Sequence, residues 1–244
     1  MSKTVPFGFE DIAPHEKTER VGAVFRSVAR RYDIMNDVMS FGQHRLWKDL
    51  FVGRVQPRAG ESILDLAGGT GDIAFRMART GADVVVSDIN PDMLAVGRER
   101  AARRGLDHLQ WVEANAETLE PFADGAFDAV TIAFGIRNVT DVPAALRAIH
   151  RVLKFGGRFY CLEFSQISLP LVADIYRGYS RRVVPGAGAL IARDRASYKY
   201  LVESIERFPD QDAFSAMIRD AGFGQVRAQP LLGGLVVIHS GWKS

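Results

Sequence analysis

Three groups of residues in this chain have types and spacings suited to chemistry. The first is "DLAGGTGD" (65–72), a glycine run with a carboxylate at each end, followed about twenty residues later by a further acid, Asp88. The second is "YDIMNDVMSFGQHRLW" (32–47), which gathers a phenol, carboxylates, amides and an imidazole in one short amphipathic stretch. The third is the pair Arg137 and Asn138, at the end of an apolar run. Glycines between a strand and a helix let the backbone turn tightly and approach a ligand closely. The spacing Gly69-x-Gly71-x-x-Ala74 also satisfies a dinucleotide fingerprint, so it does not by itself separate one nucleotide cofactor from another.

Charge separates them. A nicotinamide dinucleotide would bring a diphosphate to this loop, where carboxylates repel it. S-adenosylmethionine brings a sulfonium and an ammonium with one carboxylate. At ~4 Å and an effective dielectric near ~20, each such contact is worth up to ~4 kcal/mol before desolvation. Asp65 and Asp72 bracket the glycines, which favours the cationic ligand, although Asp72 also suits a helix start. The expected cofactor residues are therefore Asp65, Gly69, Thr70 and Gly71 in the loop. Asp88, at a strand end, would take both ribose hydroxyls or simply end the strand. Asn115 and Ala116, in "EANAE" (113–117), would read adenine through a side chain and a backbone N–H.

The elements that must position these residues alternate. Strand-like runs at 62–67, 82–88, 109–114, 127–136 and 157–164 are separated by helical stretches at 72–79, 91–104 and 141–153. Asn90 as N-cap with Pro91 at N1 opens the second helix. Asp141 opens the third, whose stripe is Leu146, Ile149, Val152 and Leu153, and Gly156-Gly157 should stop it. Asp210 caps a last helix with the stripe Ala213, Phe214, Met217, Ile218 and Ala221, closed by Gly222. Two runs at 224–229 and 232–240, with a short link, should pair antiparallel. This is an α/β chain with a mostly parallel sheet finished by an antiparallel hairpin, the pattern of a class I methyltransferase rather than of an ordinary dinucleotide fold. One domain is expected over 1–244: a helical cap (1–59), a cofactor core (60–164), a helical insertion after the fifth strand (165–209), and a C-terminal helix with the hairpin (210–244).

Composition narrows the partners. The chain of 244 residues has 31 Lys+Arg against 29 Asp+Glu, a net charge of +2 that makes no case for nucleic acid. The single cysteine, Cys161, allows no internal disulfide and lies in an apolar run where a buried inert thiol is expected. No secretory signal is visible, and the longest run without Asp, Glu, Lys or Arg, Ala228–Trp242, is too short and too polar to span a bilayer. A cytoplasmic protein is expected, with contact at the inner face of the membrane left open. No metal cluster suggests itself.

The first signature places the chain beside a known family. "YDIMNDVMSFGQHRLW" (32–47), through Tyr32, Asp33, Met35, Asn36, Met39, Ser40, His44 and Trp47, resembles the first signature of the UbiE family of ubiquinone/menaquinone biosynthesis C-methyltransferases. "RVLKFGGRFYCLEFS" (151–165) is similar to the family's second signature, departing at Phe155, where proline is usual. "AFGIRNVTD" (133–141) also resembles the family, with Ala133 near the cofactor in place of the serine that relatives often carry. The resemblance runs from about residue 15 to the end. It implies a Rossmann-like class I fold, S-adenosyl-L-methionine as cofactor, and methylation of a ring carbon of a prenylated quinol. The quinol would be 2-methoxy-6-polyprenyl-1,4-benzoquinol, demethylmenaquinol or both. A homodimer, or association with other quinone-biosynthesis enzymes, stays open. Two rivals also stay open: an NAD-dependent oxidoreductase on the same sheet type, and a non-catalytic lipid-binding assembly subunit.

That chemistry needs a base, because a phenol of pKa ~10 activates its ring only when it gives up or shares its proton. Asp33 or His44 could accept it, while Tyr32 and Asn36 orient the ring or the methionine end of the cofactor. On a helix, Tyr32, Met35, Asn36 and Met39 share one face, so the segment is expected to fold over the site as a lid. Met35, Met39, Leu46 and Trp47 read mainly as core. Arg137 could stabilise a developing phenolate or position a water, or else pair with a carboxylate such as Asp141. In 176–200, Arg177, Arg181, Arg182, Arg193, Arg195 and Lys199 flank an uncharged run, Val183–Ala192, which suits an anionic membrane surface or the mouth of a prenyl tunnel.

Overall fold

At the centre of the computed structural model is the strand β3 (Ser62–Leu66), held by parallel neighbours on both sides. The structure describes residues 4–28, 42–166 and 195–244. β4 (Asp83–Asp88) and β5 (Gln110–Glu113) extend the sheet one way, and β6 (Phe127–Ala133) and β7 (Leu153–Phe164) extend it the other. β8 (Phe223–Leu231) and β9 (Val236–Lys243) complete the order β5-β4-β3-β6-β7-β9-β8, with β9 antiparallel to both its neighbours. The chain leaves β3 toward β4 on one side and later returns to β6 on the other, so a crevice opens at the carboxyl ends of β3 and β6.

Successive residues of the central strands point to opposite faces, and each face has its own core. Ile63, Ala129 and Leu162 pack with helices α2 (His44–Val55), α3 (Asp72–Ala78), α4 (Pro91–Ala102) and α6 (Arg195–Arg207). Leu64, Val130 and Cys161 pack with α5 (Val142–Val152) and α7 (Gln211–Asp220). The expected caps form: Asn90, Asp141 and Asp210 each accept backbone N–H groups at the starts of α4, α5 and α7. The buried Cys161 thiol has its pKa pushed up by desolvation, in keeping with an inert core residue.

Several boundaries differ from those expected. α5 ends at Val152, because Leu153 is already extended and pairs with Phe127 as the first residue of β7. The Gly156-Gly157 pair therefore lies inside β7, where the register jumps from Phe127↔Leu153 to Ala129↔Arg158. β6 stops at Ala133, since Phe134 turns to a φ of 57° and a 3-10 turn covers Ile136–Asn138. A similar turn over Leu232–Gly234 delays β9 to Val236. Ala213 faces solvent; Ser215, which returns a hydrogen bond to the Gln211 carbonyl, takes the buried position beside Phe214.

The N-terminal cap is not wholly helical. β1 (Val5–Phe7) and β2 (Glu10–Ile12) form a small hairpin before α1 (Pro14–Val28). In α2 the buried stripe is His44, Trp47, Lys48, Phe51 and Val55, which leaves Leu46 58% exposed instead of in the core.

Candidate active site

The crevice is a cleft with about 1140 Å³ of empty space, counted to its open mouth. Its floor is the glycine turn after β3, one wall is the loops after β4 and β5, and the other is the segment 133–140 after β6. Thr18, Val21 and Gly22 of α1 and Lys48 of α2 close over it. Of the cofactor residues expected from sequence, Asp65, Gly69, Thr70, Asp88, Asn115, Ala116 and Ala133 line this cleft. Gly71, at a φ of 84°, is the N-cap of α3 just behind the lining.

The turn is shaped by close approach. A Cβ on Gly68 would lie 2.7 Å from Val86 Cγ1 and 2.9 Å from Asp65 Oδ2, and Gly69 holds a φ of 54°. That left-handed conformation points the Gly69 N–H at the Asp88 carboxylate, 3.0 Å away. The other Asp88 oxygen accepts from the Asn90 N–H at 2.9 Å. Burial raises the Asp88 carboxyl to about 6, against the backbone N–H groups of Asn90, Gly69 and Ile89 that favour its anion.

The two acids bracketing the glycines do not present bare charge to the cleft. Asp65, 1% exposed, accepts from the Ala74 N–H at 3.1 Å and from the Thr131 hydroxyl at 2.9 Å. Desolvation lifts its carboxyl to about 7, with these hydrogen bonds opposing. Asp72 is gripped by Lys48, 2.7 Å away, and by Arg76 one turn along α3. Burial acts to raise Asp72, yet Lys48 and then Arg76 outweigh it and bring the carboxyl down to about 2. The sequence argument from local negative charge therefore needs revision. Asp72 is neutralised by cations, and Asp65 spends its oxygens on the first turn of α3 and on β6.

On the far wall, Asn115 uses its side-chain oxygen to accept from the Glu117 N–H at 2.9 Å. Glu117 in turn accepts from the Thr140 and Asp141 N–H groups, tying the loop after β5 to the start of α5. Asn138 lines the cleft and accepts from the Tyr200 hydroxyl at 3.0 Å. Arg137 points elsewhere. Its guanidinium, 4% exposed, donates to Glu163 at 2.6 Å and to the Phe134 carbonyl at 2.9 Å. Its partner is thus Glu163, not Asp141, and it lines a second cavity behind Val139 and Thr140.

His44 lies at the first helical position of α2, 3% exposed, and is not among the cleft-lining residues. Tyr32, Asp33, Met35, Asn36, Met39 and Ser40 lie outside the described residues, as does most of the basic insertion with Val183–Ala192. Two lysines at the site escaped the sequence reading. Lys48 is buried against Asp72, and Lys17, on α1, is buried beside the second cavity. The available signal was helical spacing: Lys48 shares a stripe with His44, Trp47 and Phe51, and Lys17 sits one turn before Val21.

Among the described residues, no cluster of three or more histidines, cysteines or acids could hold a metal ion, and no helix is long and apolar enough to cross a membrane. Comparison with known proteins gives the fold and the family. A Thermotoga maritima structure titled a SAM-dependent methyltransferase, possible histamine N-methyltransferase, superposes with a TM-score of 0.66 at 19% identity, over 92% of this chain and 100% of that one. Haemonchus contortus phosphoethanolamine N-methyltransferase 2, solved in complex with S-adenosyl-L-methionine, matches at a TM-score of 0.60 and 15% identity, over 81% of this chain and 52% of that one. These likenesses establish the class I methyltransferase fold. The ubiquinone/menaquinone biosynthesis C-methyltransferase UbiE of Zymomonas mobilis is 60% identical over 239 residues, 98% of either chain. The protein of the same name from Nitrobacter hamburgensis is 53% identical over 247 residues, covering 98% of this chain and 97% of its own. The sequence pattern of the ubiE/COQ5 methyltransferase family matches residues 14–243, and the chain belongs to that family.

Proposed function

We propose that this chain is an S-adenosylmethionine-dependent C-methyltransferase that methylates a ring carbon of a prenylated quinol in ubiquinone or menaquinone biosynthesis. The observation that carries the cofactor assignment is the hydrogen-bonding state of the glycine turn. A diphosphate bound in the dinucleotide manner needs free N–H groups at a helix N-terminus. Here the Ala74 N–H is already given to Asp65, and the Asp72 carboxylate occupies the first position of α3. A ligand without phosphate, carrying a sulfonium and an amino-acid end, fits what is left. Asp88 would hold the ribose hydroxyls and Asn115 with Ala116 the adenine. Lys48 would meet the carboxylate of the methionine end in competition with Asp72, and Asp65 would accept from the ammonium through oxygens it already shares with Ala74 and Thr131.

The bound donor supplies an electrophilic methyl group; the chain's own residues do the rest. Gly68 and Gly69 admit the ligand close to the backbone. Phe134, tilted against Phe164 with ring centroids 4.9 Å apart, and Val21 give the acceptor side an apolar surface that excludes water from the ring. Asn138, fixed by Tyr200, puts a polar group on the same wall. Arg137 sets positive charge behind that wall, where a ring oxygen gaining negative charge is stabilised. The buried position of His44, away from the cleft lining, suits support of α2 better than proton transfer. The basic residues flanking Val183–Ala192 in the sequence suit an anionic surface, where a prenylated substrate would be met.

The test has two stages. The cofactor at 100 times its Kd should stabilise the fold by ~2.7 kcal/mol, whereas NAD should leave the melting temperature unmoved. Incubation with methyl-labelled donor and a demethylated quinol should then place label on a ring carbon. Stabilisation by NAD alone, or label found only on oxygen, would reject the assignment.

A further inference from the structure

Tyr200 is a buried phenol whose hydroxyl has one hydrogen-bond partner among the described residues, and that partner lines the main cleft. The residue is 4% exposed, and its ring stacks on Phe7 of β1 with centroids 4.3 Å apart and planes 20° from parallel. Its hydroxyl donates to Asn138 Oδ1 at 3.0 Å. Tyr200 lines the second cavity and Asn138 the cleft, so this bond crosses the wall between the two.

The direction of the bond fixes the amide. A buried O–H without an acceptor loses its hydration and gains nothing in return. Were the amide turned over, its NH2 group would face the hydroxyl, and the phenolic hydrogen would lose the acceptor it has. Burial pushes the Tyr200 pKa up, so the phenol keeps that hydrogen. The Asn138 backbone is held as well, since its N–H donates to the Gly135 carbonyl at 3.0 Å in the 3-10 turn. With Oδ1 committed to Tyr200, Nδ2 is the end of the amide left for the cleft. An N–H donor there attracts an oxygen with free lone pairs. The reversed amide would turn its own lone pairs toward that oxygen and repel it.

We propose that Tyr200 is a positioning residue that turns the Asn138 amide so that Nδ2 donates to the ring oxygen of the acceptor as that oxygen gains negative charge. The inference rests on the quinol methyltransferase reading and adds the polarity of the acceptor wall to it. Asn138 shares that wall with Phe134, whose ring gives the acceptor its apolar surface. Tyr200 belongs to α6 and Phe7 to β1, and neither element lines the cleft. Two outer elements thus decide which end of an amide the reacting ring meets.

The test compares Tyr200→Phe, Asn138→Ala and the double variant with the unaltered chain in methylation of the demethylated quinol. Tyr200→Phe keeps the ring on Phe7 and loses only the hydroxyl. An oriented donor at a developing oxyanion is worth about 100-fold in kcat, and Asn138→Ala should lose that much. Tyr200→Phe frees the amide without removing it, so it should lose about 10-fold, and nothing further where Asn138 is already alanine. The cofactor Kd, read by calorimetry, should be unchanged in all three. A readout independent of turnover is the 15N spectrum of the side-chain amides. The Asn138 NH2 signal, identified by its absence from Asn138→Ala, should shift in Tyr200→Phe. The proposal is overturned if Tyr200→Phe keeps the full rate, if it costs the same factor with and without Asn138, or if the Asn138 signal stays in place. An unaltered chain that binds the cofactor yet methylates no quinol overturns the substrate reading instead, and the amide spectra then decide whether Tyr200 orients Asn138.

Discussion

The pair formed by Arg137 and Glu163 offers a measurement in which stability and catalysis separate. The two side chains are 4% and 1% exposed and 2.6 Å apart, on the 3-10 turn after β6 and on β7. Glu163 also accepts the Phe164 N–H at 2.8 Å. Removing one member of a buried pair commonly costs about 3–5 kcal/mol, because the other is left charged in a poor solvent. Glu163→Leu should cost this full amount, since a guanidinium cannot shed its proton. Arg137→Met should cost less: burial already raises the Glu163 carboxyl, with Arg137 opposing, so the lone acid can neutralise itself. At about 2.1 cal/mol/K per residue, a chain of this length unfolds with an entropy of about 0.5 kcal/mol/K. Glu163→Leu should then lower the melting temperature by about 6–10 °C. The double variant should return to within about 2 °C of the parent, as apolar replacements of buried pairs often do. Its kcat should nevertheless fall about 100-fold if Arg137 stabilises charge in the reaction. A Glu163→Leu shift under about 2 °C, or strictly additive costs in the double variant, would refute the reasoning.

Two further outcomes follow from the geometry. Gly68→Ala drives a Cβ to 2.7 Å from Val86 and 2.9 Å from Asp65; it should cost about 1–3 kcal/mol and weaken cofactor affinity, read by calorimetry, and unchanged affinity would mean that the turn does not touch the ligand. His239, 2% exposed, is brought down to about 4 by burial, with the Gln211 carbonyl and Asp212 opposing. Its Nε2 pairs with that carbonyl at 3.1 Å, and its Nδ1 has no partner among the described residues. Between its ordinary pKa and about 4 the unfolded chain binds more protons, so the contribution of His239 to stability falls as the pH drops through that window. The raised Asp65 and Asp88 carboxyls act in the opposite sense in any variant that keeps them, so the check is a difference: between pH 7 and pH 5 the denaturant midpoint of His239→Phe should rise relative to that of the parent, and parallel midpoints would refute it.

Local signals carried much of this architecture. Asn90-Pro91, Asp141 and Asp210 cap helices because a side-chain oxygen needs only its own next few N–H groups. Asp88 was legible for a similar reason: a strand end and a glycine turn are fixed by neighbours in sequence. The pairs that define the inner site were not. Tyr200 meets Asn138 across 62 residues and Arg137 meets Glu163 across 26, and nothing local selects either partner. Lys17 and Lys48 look like ordinary solvated lysines until the faces of α1 and α2 are known. The hairpin of β1 and β2 is too short, at three residues a strand, for alternation to register. Leu46 misled by type alone, since its neighbours Trp47 and Lys48 take the buried stripe.

The glycine turn shows how a correct conclusion followed from an incomplete cause. By sequence, negative charge beside the loop attracts a cation and repels a diphosphate. In the folded chain Asp72 has its charge cancelled by Lys48 and Arg76, so long-range attraction from it is small. One donor of that helix start is also spent, because Asp65 takes the Ala74 N–H that a phosphate oxygen could use. The same arrangement joins two parts of the site that the sequence kept apart. Lys48 belongs to the helix in which the first signature ends, yet its ammonium is bonded to the first residue of α3 and its side chain lines the cleft. A carboxylate arriving at Lys48 must compete with Asp72, so α2 and the turn cannot respond to that ligand independently. Lys48, the residue after the signature, therefore supplies the counter-charge to the carboxylate that opens α3.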